Sequence, residues 1–403
     1  MLKLLGRLMI LGVMFGTLLA PAFAQRGAPI RLGPGLSYEF LERWDVDRLN
    51  QILQVDTPKF AGTTTSFSPA RNAVRLYRVT YDSVVPEMGN KPIVASGLLA
   101  IPDTQGSSFP MVSYQHGTVY GRQEVPSFAE NSPETQLMIA QFAGQGYALI
   151  GADYFGLGIS KEPDGYMVKG SHQQACYDML IASRSVLSQL NISTDKLFLA
   201  GWSQGGFVTM ALVQKLEAAN VPVRAAATAS APLDLFALLN GAFYFPREID
   251  APWLTSIVIL SAFSYENYYG AQGLARSVIV DEYYDAARKF YHRQPFDAAE
   301  IPTDLKKLIH SEYFNPRYFA NSTYGKFLSA NESHRRVVQT PVRNHYGEKD
   351  EVITVGVARM AMNYAQSMGT GNSMVEAVST GPTDHRGTFV TAVPQWKVWF
   401  DGR

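Results

Sequence analysis

The chain has 403 residues, of which 46% are hydrophobic and 17% are charged, so its composition is that of a globular protein and excludes a disordered one. Its 35 Lys and Arg residues balance its 35 Asp and Glu residues, which gives no electrostatic argument for nucleic acid or an anionic membrane surface as a partner. The sequence shows no phosphate-binding glycine loop and no residue cluster with metal-ligand spacing. We therefore expect a neutral substrate, no nucleic acid, no cofactor and no metal.

Residues 1–24 have the pattern of a signal peptide. Lys3 and Arg7 form a basic start, residues 8–19 are apolar, and Ala22-Phe23-Ala24 is a small-residue cleavage signal. The apolar stretch is short for a membrane span, although an uncleaved anchor is the alternative. We predict cleavage directly after this signal and export to the periplasm or the extracellular space. No later stretch is long and apolar enough to predict a stable membrane span.

The rest of the chain alternates between predicted strands and helices. Residues 25–70 give no clear pattern and are treated as an N-terminal extension. Two β-like runs at 74–81 and 93–101 flank a turn-like segment and predict an antiparallel hairpin. Further strands are predicted at 111–115, 147–150, 197–200, 223–230, 342–346 and 374–378, and helices after Ser132 and at 172–190, 206–213 and 355–368. This alternation predicts an α/β fold whose sheet is mostly parallel and is entered by the antiparallel hairpin.

Two glycine-containing loops follow predicted strands in the first half of the chain. In the first, Gln115-His116-Gly117-Thr118, the glycine allows the backbone to approach a substrate oxygen closely. The second covers residues 151–160 and contains Asp153. We expect structural roles for His116 and Asp153, because both precede the nucleophile identified next, whereas a catalytic acid and base are expected after it. The single cysteine, Cys176, lies in a helical pattern and is expected to be a small buried hydrophobic residue.

The sequence around Ser203 has the pattern of a nucleophile elbow. Gly201-Trp202-Ser203-Gln204-Gly205 stands between the predicted strand at 197–200 and the helical run at 206–213. Small residues two positions before and after the serine are needed because the turn is tight. We predict that Ser203 is a nucleophile, with a chance match in a glycine-rich chain as the alternative. The backbone N–H groups of Thr118 and Gln204 are expected to form an oxyanion hole beside it.

A long aromatic segment interrupts the alternation after the strand at 223–230. Roughly a hundred residues precede the next predicted strand, which is far beyond an ordinary connection. We predict an inserted cap over the active site at 233–335, and a separate domain with its own core is the alternative. The α/β core would then consist of residues 71–232 and 336–403.

A serine nucleophile needs an acid and a base, expected in the order Ser, Asp or Glu, His. Asp350 follows the predicted strand at 342–346 and is the predicted acid, with Glu348 and Glu351 as rivals. His385 is the only histidine after this acid and is predicted to lie on a loop after the last strand. Its neighbour Asp384 is not expected to orient it, because adjacent side chains diverge. The other histidines are expected to be surface or structural residues.

On these residues, the chain resembles an α/β-hydrolase over most of residues 70–403. The resemblance implies the superfamily's triad at Ser203, Asp350 and His385, and the loop at 153–160 resembles the one after the superfamily's fourth strand.

Within the superfamily, the chain is similar to the secretory lipases, the lipase A-like group. The hairpin at 77–102, the run Gln115-His116-Gly117-Thr118 and the large insertion before the acid carry this similarity. The resemblance implies an exported esterase or lipase. The acyl and alcohol groups of the substrate and the oligomeric state stay open at the level of the sequence.

Together these features predict an exported serine hydrolase that cleaves neutral carboxylic esters of small-molecule or lipid type through an acyl-enzyme. A secreted serine peptidase of the same fold is one alternative, since Arg247, Glu248, Glu266 and Arg276 could hold a peptide terminus. A non-catalytic binding protein on a hydrolase scaffold is the other alternative.

Overall fold

A computed structural model describes residues 27–369 and 374–403, and the predicted signal peptide lies outside them. The described residues form a ten-stranded sheet with the order β1-β2-β3-β4-β6-β5-β7-β8-β9-β10. The strands are β1 (Ile30–Gly33), β2 (Leu36–Trp44), β3 (Ala73–Val85), β4 (Lys91–Asp103), β5 (Ser108–Gln115), β6 (Ala148–Ala152), β7 (Ser193–Trp202), β8 (Ala225–Ala229), β9 (Val342–Tyr346) and β10 (Val375–Ser379).

Helices cover both faces of this sheet and fill the long segment between β8 and β9. They are α1 (Val46–Gln51), α2 (Thr57–Ala61), α3 (Pro133–Gln141), α4 (Lys169–Gln189), α5 (Gln204–Ala218), α6 (Leu235–Tyr244), α7 (Leu254–Tyr268), α8 (Leu274–Val278), α9 (Asp281–Tyr291), α10 (Leu305–Leu308), α11 (Pro316–Asn321), α12 (Thr323–Ala330), α13 (Val355–Ala358), α14 (Met360–Ser367) and α15 (His385–Asp401). None of the helices in the described ranges is long and apolar enough to cross a membrane.

The predicted fold class is confirmed. Strands β1 to β4 pair antiparallel, β4 pairs antiparallel with β6, and all pairs from β6 to β10 are parallel. The hairpin of β3 and β4 turns through Gly89 and Asn90, which have φ angles of 66° and 60°. Glycine and asparagine tolerate this left-handed region better than other residues do, so the local sequence fixes the turn.

The N-terminal extension contains secondary structure that the sequence pattern does not reveal. Strands β1 and β2 extend the sheet beyond β3, and α1 and α2 follow them. The pairing of β2 with β3 shifts register between Phe40 and Glu42. This irregularity interrupts the alternation of buried and exposed residues by which a strand is recognised in sequence.

The core lies in two layers, one on each face of the sheet. Phe198 and Leu199 are consecutive residues of β7, and both are buried, on opposite faces. Phe198 stacks on Phe400 of α15, with ring centroids 4.6 Å apart, whereas Leu199 belongs to the layer that contains Phe207 of α5. Strands buried on both faces are typical of a parallel sheet covered by helices, and they place β7 and its following turn at the centre of the molecule.

The segment between β8 and β9 is a helical insertion, which the structure builds from α6 to α12. Its buried residues belong to the same hydrophobic layer as Leu199 and Phe207. This continuity argues against the alternative of a domain with a separate core. The division of the chain at residues 71, 233 and 336 stays a prediction.

Candidate active site

The order of the central strands opens a crevice at one edge of the sheet. The chain runs from β5 to β6 on one side and then to β7 on the other, so β5 lies between β6 and β7. The loops that leave β5 and β7 therefore diverge at their carboxyl ends, where α/β proteins usually bind ligands. Gln115 ends β5 and Trp202 ends β7, which places the two glycine-containing motifs side by side.

Ser203 occupies a strained turn between β7 and α5. Its φ and ψ angles are 55° and −125°, a conformation that L-residues rarely adopt. A Cβ atom on Gly201 would overlap the carbonyl oxygen of Gly205, and one on Gly205 would overlap that of Gln115. Both glycines are thus required by close backbone contacts, and the turn exposes the serine hydroxyl at the crevice.

A continuous chain of hydrogen bonds joins Ser203, His385 and Asp350. His385 Nε2 lies 3.0 Å from Ser203 Oγ, and His385 Nδ1 lies 3.0 and 3.1 Å from the two carboxylate oxygens of Asp350. When the Nδ1–H is donated to Asp350, the lone pair of Nε2 faces the serine hydroxyl and can accept its proton. The structure therefore brings these three predicted residues together.

Asp350 is buried and held in its ionised form. One of its carboxylate oxygens accepts the backbone N–H groups of Val352 and Ile353, each at 2.8 Å. Burial alone raises the pKa of this carboxyl, but the charge and hydrogen bond of His385, together with the Ile353 N–H, bring the pKa below its ordinary value. The ionised carboxylate can stabilise a positive charge on the His385 ring.

The two rival carboxylates bind other groups. Glu348 is exposed and accepts the hydroxyl of Ser379 at 2.8 Å. Glu351 accepts the backbone N–H of His385 at 2.9 Å, so it holds the main chain of this histidine and not its ring. Sequence reasoning missed this contact, because the three acids lie within four positions and differ only in orientation.

The predicted loop position of His385 is wrong, because His385 is the first residue of α15. Asp384 is the N-cap of this helix, and its side chain accepts the N–H of Gly387 at 2.7 Å. The glycine inside the first turn lowers helix propensity and hides the helix start in the sequence.

One predicted oxyanion donor follows the serine directly in the chain, and the other belongs to the wall of the same cavity. Gln204 is the first residue of α5, where backbone N–H groups have no acceptor inside the helix. Thr118 lines the same cavity as Ser203. The side chain of Gln204 points elsewhere, with its amide nitrogen 3.2 Å from Nε2 of the buried His172.

His116 and Asp153 are buried and do not contact Ser203 or His385. The ring of His116 stacks on Tyr154 at 4.0 Å, and its Nδ1 lies 2.8 Å from the carbonyl oxygen of Gly117. Asp153 accepts the hydroxyls of Ser96 and Ser127 at 2.5 and 2.6 Å. These contacts fit the structural roles expected for both residues.

A cavity of about 610 Å³ lies in front of Ser203 and His385. Its aromatic and charged walls consist of Lys59, Phe60, Tyr120, Trp202, Trp253, Glu351, Asp384 and Arg386. Lys59 and Phe60 belong to α2, a contribution for which the sequence carries no motif. The Arg386 guanidinium lies 4.9 Å above the ring of Phe60, which joins α15 to α2 across the cavity rim.

Among the described residues that line the cavity, Trp253 alone belongs to the segment at 233–335 that the sequence predicts to be a cap. Other aromatic side chains of the insertion pack against one another, as Phe243 and Phe319 do at 5.1 Å. They build the interior of the insertion and so reinforce its shape.

The described residues contain no group of His, Cys, Asp and Glu side chains arranged to hold a metal ion. The Ser203 hydroxyl and the His385 imidazole lie at the crevice, close to the backbone N–H groups at the start of α5. This arrangement can carry out nucleophilic attack with general-base assistance and stabilise a developing oxyanion.

Comparisons with known proteins identify the fold. No protein-family model matches the chain, and no curated protein matches it. Its sheet order and connections define an α/β-hydrolase fold, and solved structures of this fold superimpose on it. A protein of Legionella pneumophila, described as a candidate hydrolase, is 22% identical with a TM-score of 0.78, over 92% of this chain and 96% of that one.

Two further solved structures share this fold. The rice cell wall degrading esterase LipA of Xanthomonas oryzae is 22% identical with a TM-score of 0.73, over 91% of this chain and 96% of that one. Candida antarctica lipase A in its closed state is 13% identical with a TM-score of 0.59, over 90% and 81%. The structural resemblance to lipase A-like proteins expected from the sequence is thus confirmed at the level of the fold.

Proposed function

We propose that this chain is an exported serine hydrolase that cleaves carboxylic esters. The observation that carries the proposal is the hydrogen bond of 3.0 Å between Ser203 Oγ and His385 Nε2, in line with the ionised Asp350. The likeness of the fold to an esterase and a lipase supports the same reaction class.

In the proposed mechanism, Ser203 attacks the acyl carbon while His385 takes its proton. Asp350 stabilises the resulting imidazolium and keeps its ring in place. The backbone N–H groups of Thr118 and Gln204 bind the oxyanion of the tetrahedral intermediate, and each such donor lowers a barrier by about 3–4 kcal/mol. His385 then protonates the leaving alcohol, and water hydrolyses the acyl-enzyme by the same steps, without a cofactor.

The lining of the cavity supports the proposal that the substrates are neutral esters of short to medium length. Its aromatic side chains suit acyl or aromatic groups, and its charged rim residues carry both signs: Lys59 and Arg386 against Glu351 and Asp384. Such a rim gives no preference for an ionic substrate.

The peptidase alternative finds less support. Arg247 pairs with Asp250, Arg276 pairs with Asp281, and Glu266 accepts the N–H of Ala275. None of the four charged residues proposed to hold a peptide terminus is among the described lining residues of the cavity. We therefore favour esters over peptides as substrates.

Replacement of Ser203 by alanine tests the nucleophile. Ser203→Ala should abolish turnover of p-nitrophenyl esters and labelling by a fluorophosphonate probe, while the circular dichroism spectrum stays that of the native fold. A folded variant that still reacts with the probe would overturn the proposal. The peptidase alternative replaces ours if peptide anilides give a higher kcat/KM than every ester, after correction for leaving-group reactivity.

Export is proposed on the sequence pattern of residues 1–24. N-terminal sequencing of exported protein should find Gln25 as its first residue. Exported material that still begins at Met1 would contradict cleavage.

A further inference from the structure

A buried carboxyl group lies directly behind the loop that carries Thr118. Glu134 is the second residue of α3, and only 6% of its surface is exposed. Neither the sequence pattern nor the Ser203–His385–Asp350 arrangement assigns it a role. Buried carboxyl groups are rare unless they have specific partners, so its contacts indicate what it does.

The partner of Glu134 is the backbone of Gly117. The Gly117 N–H donates to both carboxyl oxygens of Glu134, at 2.9 and 3.1 Å. A Cβ atom on Gly117 would lie 3.2 Å from Glu134 Oε2 and 3.3 Å from atoms of Trp202. The loop is therefore held between the Glu134 carboxyl and the residue that precedes Ser203.

The peptide group between Gly117 and Thr118 supplies the Thr118 N–H. Its carbonyl oxygen belongs to Gly117 and lies 2.8 Å from Nδ1 of His116. In a trans peptide the C=O and N–H bonds point in opposite directions. Contacts on both sides of Gly117 thus set the direction of the Thr118 N–H.

We propose that Glu134 is a positioning residue that holds the Gly117 backbone, so that the Thr118 N–H faces the oxyanion formed at Ser203. This inference rests on the proposed esterase function, because it concerns a donor used only when an oxyanion forms. Glu134 does not touch the substrate. It acts through the loop.

The protonation state of Glu134 gives the proposal a pH signature. Burial raises the pKa of this carboxyl to about 8, against the lowering effects of the Tyr114 hydroxyl and the Gly117 N–H. A neutral carboxyl accepts the N–H without adding negative charge behind the oxyanion. Ionisation above pH 8 would place a buried anion next to the oxyanion loop and should lower kcat.

The other titratable groups around Glu134 do not titrate in this range. Tyr114 of β5 and Tyr154 after β6 interact with Glu134, and burial raises the pKa of each well above 10. His385 and the charged residues of α2 and α15 lie at the cavity and are present in every variant compared. A difference between two pH profiles therefore reports on Glu134.

Two substitutions and one matched control test the proposal with p-nitrophenyl butyrate. Glu134→Leu removes the acceptor and should lower kcat about 10- to 100-fold with KM unchanged, since one oxyanion donor is worth about 10²–10³ in kcat. Glu134→Gln keeps one acceptor and should retain kcat at pH 7 but lose the decline of kcat near pH 8. Glu124→Gln is the control, because Glu124 accepts the N–H groups of Tyr120 and Gly121 in the next turn. It should show wild-type kcat and the wild-type profile.

The outcomes separate this inference from the proposed function. If Ser203→Ala is still active, the esterase mechanism fails. If Ser203→Ala is inactive but folded Glu134→Leu keeps the wild-type kcat, the positioning role alone is wrong. Should Glu134→Leu not fold, the Glu134→Gln profile decides, and an alkaline decline equal to that of the wild type overturns the role.

Discussion

At the scale of single residues, the environment of Asp350 decides which of three neighbouring acids can assist His385. Its two carboxylate oxygens face the ring, while backbone N–H groups fix its orientation. Glu351 holds the main chain of the same histidine. Two carboxylates therefore position His385: Asp350 binds its ring, and Glu351 binds its backbone N–H at the start of the helix.

Asp350→Asn should lower kcat for ester hydrolysis by about 10⁴, as the equivalent change does in a well-studied serine protease triad, because the amide favours the wrong imidazole tautomer. Steady-state kinetics on short p-nitrophenyl esters measure this. Glu348→Gln is the control and should leave kcat unchanged, since Glu348 is exposed and its carboxylate accepts the Ser379 hydroxyl. A larger loss in Glu348→Gln than in Asp350→Asn would show that the acid is assigned wrongly.

At the scale of elements, helix α2 joins the N-terminal extension to the cavity in front of Ser203. Phe60 lies edge-on to Trp202 at 6.2 Å and beneath the Arg386 guanidinium. The Phe60 ring therefore forms part of the cavity wall and takes no part in the hydrogen bonds of Ser203 and His385. An element in this position should influence substrate binding more than chemistry.

Phe60→Ala should raise KM for p-nitrophenyl butyrate about 3- to 10-fold with kcat unchanged, because aromatic contacts of this kind contribute about 0.5–1.5 kcal/mol. Val55→Ala, at an exposed position just before the same helix, should leave both constants at their wild-type values. The measurement is a pair of Michaelis–Menten curves with a thermal melt for each variant. A fall in kcat with unchanged KM would place α2 in the chemistry instead.

The elements that the sequence predicts are those with local signals. The β3–β4 hairpin follows from alternating residues around Gly89 and Asn90, and the elbow follows from Gly201 and Gly205 around Ser203. The conformations of these two turns depend on residues within a few positions, so a single sequence is enough to predict them.

The parts that the sequence does not predict depend on contacts between distant residues. Strand β2 is recognised by its pairing with β3, and Phe60 reaches the cavity only because α2 packs near α15. Glu134 looks in the sequence like an ordinary acid in the first turn of a helix. Its contact with Gly117, 17 positions earlier, appears only in three dimensions.

At the scale of the whole molecule, buried titratable groups should set how stability depends on pH. Burial raises the pKa of Glu134 to about 8 and lowers the pKa of His172 and His345 to about 3 and about 4. Burial also lowers the pKa of His116 and raises that of Asp153, so these two groups reinforce the same trends.

The direction of each effect follows from the protons bound in the two states. Above its ordinary pKa of 4.5, unfolded Glu134 has lost a proton that the folded protein keeps up to about pH 8, so stability falls as pH rises through this window. Below the ordinary histidine pKa of 6.5, the histidines of the unfolded protein bind protons, whereas those of the folded protein stay neutral. Stability therefore falls as the pH drops toward 3–4. Between pH 4.5 and 6.5 the three histidines outweigh the two carboxyls, and the maximum lies near pH 6.5.

Urea unfolding at a series of pH values tests this balance. The free energy of unfolding should decline from pH 6.5 to 8 with a slope of up to about 1.4 kcal/mol per pH unit for each proton involved. Glu134→Gln should flatten this decline, because glutamine does not ionise, while Glu124→Gln should keep it. Between pH 6.5 and 4.5 the stability of Glu134→Gln should fall more steeply with decreasing pH than that of the other two proteins, because the opposing carboxyl is missing. Below pH 4.5 the three slopes should agree, since His172 and His345 are unchanged. A wild-type free energy that stays constant from pH 6.5 to 8 would show that Glu134 is already ionised at neutral pH in the folded protein.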